Sequence, residues 1–192
     1  MKKVLVVLLA VVLSCSLSGC FLALLGDSSE ASKTITDVSG GGTSSRSSVN
    51  TEKQTAKVGQ TVTGDDWAIS LLSAKTYTEI ADKYFTKTPE EGKIYLVLFF
   101  EVENVSNEDD YFNRLNFESY VDGYNQPHVV LISKPDGVDT LTGDIASGKK
   151  LKGQLTWEVS KDWKELEVSY KSNAWTGDKA ATFKVTPSDL TA

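Results

Sequence analysis

Lys149-Lys150-Leu151-Lys152-Gly153-Gln154-Leu155-Thr156-Trp157-Glu158-Val159-Ser160 changes character at almost every step. Side chains on a strand point alternately to its two faces, so Leu151, Gly153, Leu155, Trp157 and Val159 form one row and Lys150, Lys152, Gln154, Thr156 and Glu158 the other. This stretch is expected to be a strand with one face in a core and one face in water. The period of two continues outward in both directions. Leu166, Val168 and Tyr170 alternate with Glu165, Glu167 and Ser169, and Trp67, Ile69 and Leu71 share parity opposite Ala68 and Ser70. Further strands are expected at Gln60 to Thr63, Ile94 to Asn104, Phe117 to Asp122, His128 to Ile132 and Ala181 to Thr186. Asp122-Gly123, Pro135-Asp136-Gly137 and Ser147-Gly148 are the turn signals between them. Seven or eight short strands without a strong helical repeat predict an all-β antiparallel sandwich. One short helix is expected at Tyr77 to Tyr84, where Ile80, Ala81 and Tyr84 fall at helical spacing.

One strand breaks the rule of a single wet face. Ile94, Leu96, Leu98, Phe100 and Val102 form an apolar row, yet Tyr95, Val97 and Phe99 on the other face are apolar as well. Near-continuous apolarity marks a strand covered on both sides. The first row is expected to face the sandwich core and the second to lie under another element, the Tyr77 to Tyr84 segment. The competing account is a bare patch used for dimerisation.

Lys57-Val58-Gly59-Gln60-Thr61-Val62, Asp66-Trp67-Ala68-Ile69, and Gly92-Lys93-Ile94-Tyr95-Leu96-Val97 running into Glu101-Val102-Glu103-Asn104 together carry a resemblance. They resemble the immunoglobulin-like extracellular domain of Gram-positive lipoproteins, a domain of unknown function similar in fold to a secreted mycobacterial immunoprotective antigen. Ala146-Ser147-Gly148-Lys149 leading into Gly153-Gln154-Leu155-Thr156-Trp157-Glu158-Val159 resembles that family's hairpin, with Ala146-Ser147 in place of its proline and Trp157 in place of its phenylalanine. The resemblance covers nearly the whole of residues 56–192 and implies an immunoglobulin-like sandwich with no established activity. Some relatives carry a telomeric-repeat-binding label, which the acidic charge and export signal of this chain contradict.

At the N-terminus, Met1-Lys2-Lys3 is a basic start, and Val4 to Leu13 is an apolar run shorter than the roughly 20 residues of a membrane-spanning helix. Residues 1–19 therefore read as a signal peptide. Leu17-Ser18-Gly19-Cys20 resembles the bacterial lipobox, in which the cysteine thiolate receives a diacylglyceryl group before cleavage. Cys20 is the expected lipidation site, with several acyl chains holding the chain on the outer face of the cytoplasmic membrane. From Gly26 to about Thr55 the composition turns to Ser, Thr and Gly, which predicts a flexible tether over residues 20–55.

Lys and Arg total 20 against 26 Asp and Glu, and loss of Lys2 and Lys3 with the signal takes the net charge from -6 to -8. Nucleic acid is thereby excluded as partner, because counterion release needs clustered cations. Both cysteines, Cys15 and Cys20, lie near the start, so the domain has no disulfide and no cysteine zinc site, and no cofactor is expected. His128 is the only histidine, which leaves little room for nucleophilic or metal-assisted hydrolysis. A triad with Ser133 and a carboxylate lacks the Gly-x-Ser-x-Gly elbow, so His128 is read as structural.

Acidic groups recur at Asp65-Asp66, Glu108-Asp109-Asp110, and Asp136, Asp139 and Asp144. None has the register of a calcium loop, so solvated loop charges are expected and no metal. Tyr111, Phe112, Tyr120, Tyr124, Trp163 and Trp175 sit in or beside expected loops. Of these, Tyr111, Phe112, Tyr124, Trp163 and Trp175 are the candidate contacts for a partner, and aromatic plugs closing the ends of the sandwich are the competing role. Asn104-Val105-Ser106 matches a glycosylation sequon. The expected function is a non-enzymatic, membrane-anchored binding or accessory domain facing a protein or envelope polymer. The alternative is an envelope hydrolase with loop carboxylates as acid and base, which needs two of them converging about 5 to 9.5 Å apart in a cleft.

Overall fold

The computed structural model describes residues 34–37, 55–81, 83, 85–171 and 179–191. The expected signal peptide, Cys20, most of the expected tether and Trp175 lie outside the described residues. In chain order the strands are β1 (Thr34–Asp37), β2 (Gln60–Thr63), β3 (Trp67–Tyr77), β4 (Ile80–Ala81), β5 (Thr86–Lys87), β6 (Lys93–Asn104), β7 (Asp110–Phe112), β8 (Phe117–Val121), β9 (Tyr124–Asn125), β10 (Gly143–Ile145), β11 (Lys150–Ser160), β12 (Leu166–Lys171) and β13 (Lys179–Val185). β1-β2-β3-β6-β11 make one sheet and β13-β12-β8-β9 the other, with all pairs antiparallel. Two short pairs, β7 with β10 and β4 with β5, complete the β-sandwich. Among the described residues no helix is long and apolar enough to cross a membrane.

The alternating rows meet between the sheets as the sequence requires. Leu96, Leu98, Phe100 and Val102 of β6, Leu155, Trp157 and Val159 of β11, and Ile69 and Leu71 of β3 share one cluster with Val168, Tyr170, Phe183 and Val185 of the facing sheet. A bulge between Leu71 and Ser73 inserts one residue, so the inward parity of β3 switches and Ala74 rejoins the core. Trp157 is fully buried, and its indole N–H donates to Ser119 Oγ at 2.8 Å, whose hydroxyl donates to the Gln126 carbonyl at 2.5 Å. A buried indole needs such a partner. The expected Asp122-Gly123 turn closes β8 on β9 with φ of 51° and 84° at its two residues, the mirror-image turn that matches strand twist. The Asp122 carboxylate accepts the N–H groups of Lys164 and Glu165, each at 2.9 Å, and ties this turn to the start of β12.

Five expectations change. Among the described residues of Tyr77 to Tyr84 there is no helix: β3 runs through Tyr77, and Ile80–Ala81 pairs antiparallel with Thr86–Lys87. From that segment Ile80 is buried in the second cluster and Tyr77 packs against it, which a hairpin satisfies as well as a helix. His128 to Ile132 is not a strand, although Val129 makes one bridge to Thr156. The expected wet face of β11 is wet only in part, because Gln154 and Thr156 are buried. Thr34–Asp37, inside the stretch expected to be tether, is a strand on the edge of β2 with Ile35 packed against the core. The strand total also exceeds the expected seven or eight, since β7, β9 and β10 span only two or three residues and lack a legible period.

The anomalous row of β6 is covered. Tyr95, Val97 and Phe99 form a second buried cluster with Ile80, packed by Tyr77, Val129, Leu131 and Val138. The cover is thus the β4–β5 hairpin together with the 127–139 segment. Residues 129–141 also close the outer edge of β11: Val129 N–H donates to the Thr156 carbonyl at 2.7 Å, Leu141 N–H to Gln154 O at 3.0 Å, and Gln154 N–H to Asp139 O at 2.9 Å. A close approach makes this crossing fit. A Cβ on Gly153 would lie 2.4 Å from the Leu141 Cα, so only glycine lets the backbone of Leu141 lie against β11.

Candidate functional site

The wet half of the five-stranded sheet carries a shallow trough of about 290 Å³ lined by Thr61, Thr63, Ala68, Ser70, Glu101, Glu103, Val105 and Lys150. The register of β6 with β11 sets Lys150 opposite Glu103 and Lys152 opposite Glu101. Lys150 Nζ lies 2.9 Å from Glu101 Oε1 and 3.3 Å from Glu103 Oε2, and Lys152 Nζ lies 3.5 Å from Glu101 Oε2. The hydrogen bond from Lys150, with both lysine charges added, holds the Glu101 carboxyl below its ordinary range. Such a group is a fixed anion and a poor proton donor near neutral pH. An acid–base pair needs one carboxyl raised and one lowered, and this trough lowers its carboxyl through the lysines.

A second depression of about 520 Å³ at the end of the sandwich is lined by Asp66, Ser106, Asn107, Glu108, Asp109 and Asp110. Its carboxylates are exposed, and burial is what normally raises a catalytic carboxyl. Asn104 organises it from below. Its side chain is fully buried, with Nδ2 donating to Glu108 O at 2.7 Å and Ile145 O at 2.8 Å. Its Oδ1 accepts the Ser106 N–H at 3.0 Å and lies 2.7 Å from the Ser106 hydroxyl. The sequon is therefore a loop brace: the amide that a glycosyl transfer would need is inside the protein.

The expected partner contacts separate into two groups. Phe112 and Trp163 are buried, at 0% and 4% exposure, so neither can meet a partner. Phe112 stacks on Tyr170 at 4.6 Å and meets Trp67 edge-on at 5.1 Å, the plugging role, because a large ring at a strand end gains more from the open end of the core than from water. Tyr111 and Tyr124 are exposed, at 50% and 79%, but stand on different sheets. Tyr111 Oη lies 3.0 Å from Thr142 Oγ1.

His128 packs edge-on against Trp157, and burial, then the charge of Arg114, lowers its pKa. Ser133 donates to the Phe85 carbonyl at 3.3 Å, so no triad forms around His128. Among the acidic groups weighed for calcium, Asp136 pairs with Lys75 at 3.1 Å and Asp139 with Lys134 at 2.5 Å, while Asp144 lies on β10. No three His, Cys, Asp or Glu groups converge on a metal-sized space among the described residues.

One exposed group escaped the sequence reading. Phe85, Val130 and Ile132 are 58%, 63% and 79% exposed, and the Ser133–Phe85 hydrogen bond joins the two segments that carry them. Val129 and Leu131 pack inward on the second cluster, so Val130 and Ile132 are the outward half of the same alternation. That alternation is visible in the sequence, but a sandwich strand at His128 to Ile132 shows the same alternation.

The fold is similar to that of ycdA of Bacillus subtilis, a chain classed as a lipoprotein, with a TM-score of 0.50 and 19% identity. That match covers 65% of this chain and only 38% of the other. Similar at lower scores are the yjhA protein of Bacillus subtilis, at 0.49 and 16% identity over 68% of this chain and 98% of that one, and an uncharacterised β-sandwich protein of Clostridium difficile, at 0.46 and 15% over 73% and 100%. No curated protein matches the chain. The model of a domain of unknown function, DUF4352, matches residues 56–181, from the strand-like start at Ala56 through most of the sandwich, and the chain belongs to that family.

Proposed function

We propose that this chain is a lipid-anchored, extracytoplasmic accessory protein whose sandwich binds a protein or envelope polymer without catalysing a reaction. The observation that carries the reading is Leu17-Ser18-Gly19-Cys20 directly behind a basic start and a short apolar run. The lysine-neutralised trough supports a binding role over hydrolysis, since its lysines hold the Glu101 carboxyl low rather than raised for acid catalysis. Among the described residues, Tyr111 and Tyr124 are the accessible members of the aromatic set and the partner contacts of this reading.

Cys20→Ser tests the anchor: metabolic labelling with an alkyne fatty acid is expected to vanish, and the protein to move from the membrane to the soluble fraction. Retention in the membrane would overturn the anchor and favour an uncleaved hydrophobic segment. For the binding role, Tyr111→Ala with Tyr124→Ala is expected to leave the melting temperature within a few degrees while removing crosslinks to envelope material. An unchanged crosslink pattern would sink these two contacts.

A further inference from the structure

The two edges of the five-stranded sheet are closed in different ways. The β11 edge is crossed by residues 129–141 through three backbone hydrogen bonds and the Gly153 contact. Among the described residues the β2 edge is paired by β1, over four residue pairs from Thr34↔Thr63 to Asp37↔Gln60. Ile35 packs on the core, Thr36 and Asp37 face solvent, and Gln60 Nε2 donates to Asp37 Oδ1 at 3.1 Å. A strand edge presents unpaired N–H and C=O groups to any extended segment of matching alternation. Twenty-two residues separate β1 from β2, where a hairpin needs about two to five. Connectivity therefore does not force β1 onto its own β2.

We propose that the β2 edge is an acceptor site for an extended strand, filled here by the chain's own Thr34–Asp37, and that the same strand of a second copy can take that place. The second copy is the favoured partner because its sequence already satisfies the register, the Ile35 contact and the Gln60 hydrogen bond. Its own strand, joined through 22 intervening residues, competes at an effective concentration on the order of millimolar, so exchange grows as the chain concentration approaches that value.

Both cysteines precede residue 21, so the chain 21–192, which contains the compact unit Ala31–Ala192, is cysteine-free and suits disulfide trapping. Thr36 and Thr61 face each other in the register, and facing residues of antiparallel strands lie within disulfide reach. A mixture of the single variants Thr36→Cys and Thr61→Cys, oxidised at about 1 mM chain, is expected to give mixed dimers well above the statistical half of all dimers. Ile35→Pro in the Thr36→Cys chain, which breaks the strand pairing and removes the Ile35 contact with the core, is expected to return the mixture to statistical proportions. The double variant Thr36→Cys/Thr61→Cys is expected to close within one chain when dilute and to form disulfide dimers at 1 mM. Closure within one chain at every concentration, with statistical dimers from the single variants, overturns the proposal.

Discussion

Replacing Asn104 with alanine removes the brace beneath the acidic loop, and the size of the effect follows from its four contacts. The bond to Ile145 O is buried, and alanine leaves that carbonyl without its donor, at about 1 to 3 kcal/mol. Glu108 O keeps the Ser106 hydroxyl, 2.9 Å away, so its loss is nearer the net value of about 1 kcal/mol for one hydrogen bond. Ser106 N–H loses its acceptor, a further ~1 kcal/mol. The total is about 3 to 5 kcal/mol, which for a domain of this size lowers the melting temperature by on the order of 10 to 15 °C. Asn104→Asp separates hydrogen bonding from volume. A carboxylate would put an oxygen in place of Nδ2, facing the Glu108 and Ile145 carbonyls as a repelled buried charge, whereas the protonated acid can still donate to one of them. The folded-state pKa of this aspartate is thus raised, so its stability is highest at low pH and falls as the pH rises through that value. Urea denaturation of the chain 21–192 and its variants from pH 4 to 8 measures both effects. A loss below about 1 kcal/mol for Asn104→Ala, or an Asn104→Asp variant without that pH dependence, would refute the reasoning.

Phe99→Asp places a charge in the second buried cluster and is expected to cost at least 3 kcal/mol, on the order of a buried unpaired charge, with the elution volume of the folded fraction unchanged; a stable variant eluting as a smaller species would mean that the patch is an interface. Gly153→Ala is expected to destabilise the chain by about 1 to 3 kcal/mol in the same denaturation assay, because Leu141 must move away from β11. The lowered pKa of His128 means that the unfolded chain takes up its proton first. Its contribution to stability is complete above the ordinary histidine range and declines as the pH falls through it. His128→Gln is expected to flatten the denaturation profile between pH 7 and 5, and an unaltered slope would show that another group is responsible.

How much of the site was legible divides along the same physical line as the fold. Tyr111 and Phe112 are adjacent on β7, yet one is half exposed and the other fully buried. Their composition is nearly the same, and a three-residue strand is too short to show which parity faces the core. Trp163 was indistinguishable from a loop aromatic until the turn after β11 placed it in the core. The sequon was legible as a motif, but its burial depends on Ile145, which lies 41 residues away.

By itself the sequence determined the sandwich, the inward rows of β3, β6, β11 and β12, the Asp122-Gly123 turn and the need to cover Tyr95, Val97 and Phe99. These are local properties, since strand period and turn chemistry are set by neighbours along the chain. Only the tertiary structure decided what supplies the cover: a two-residue-strand hairpin and an irregular segment in place of a helix. Helical spacing of Ile80, Ala81 and Tyr84 is a weak preference over eight residues, too short for a helix to hold in water without packing. The tertiary structure likewise placed Thr34–Asp37 on β2, because strand pairing across a long connection depends on an open edge that no local pattern reveals.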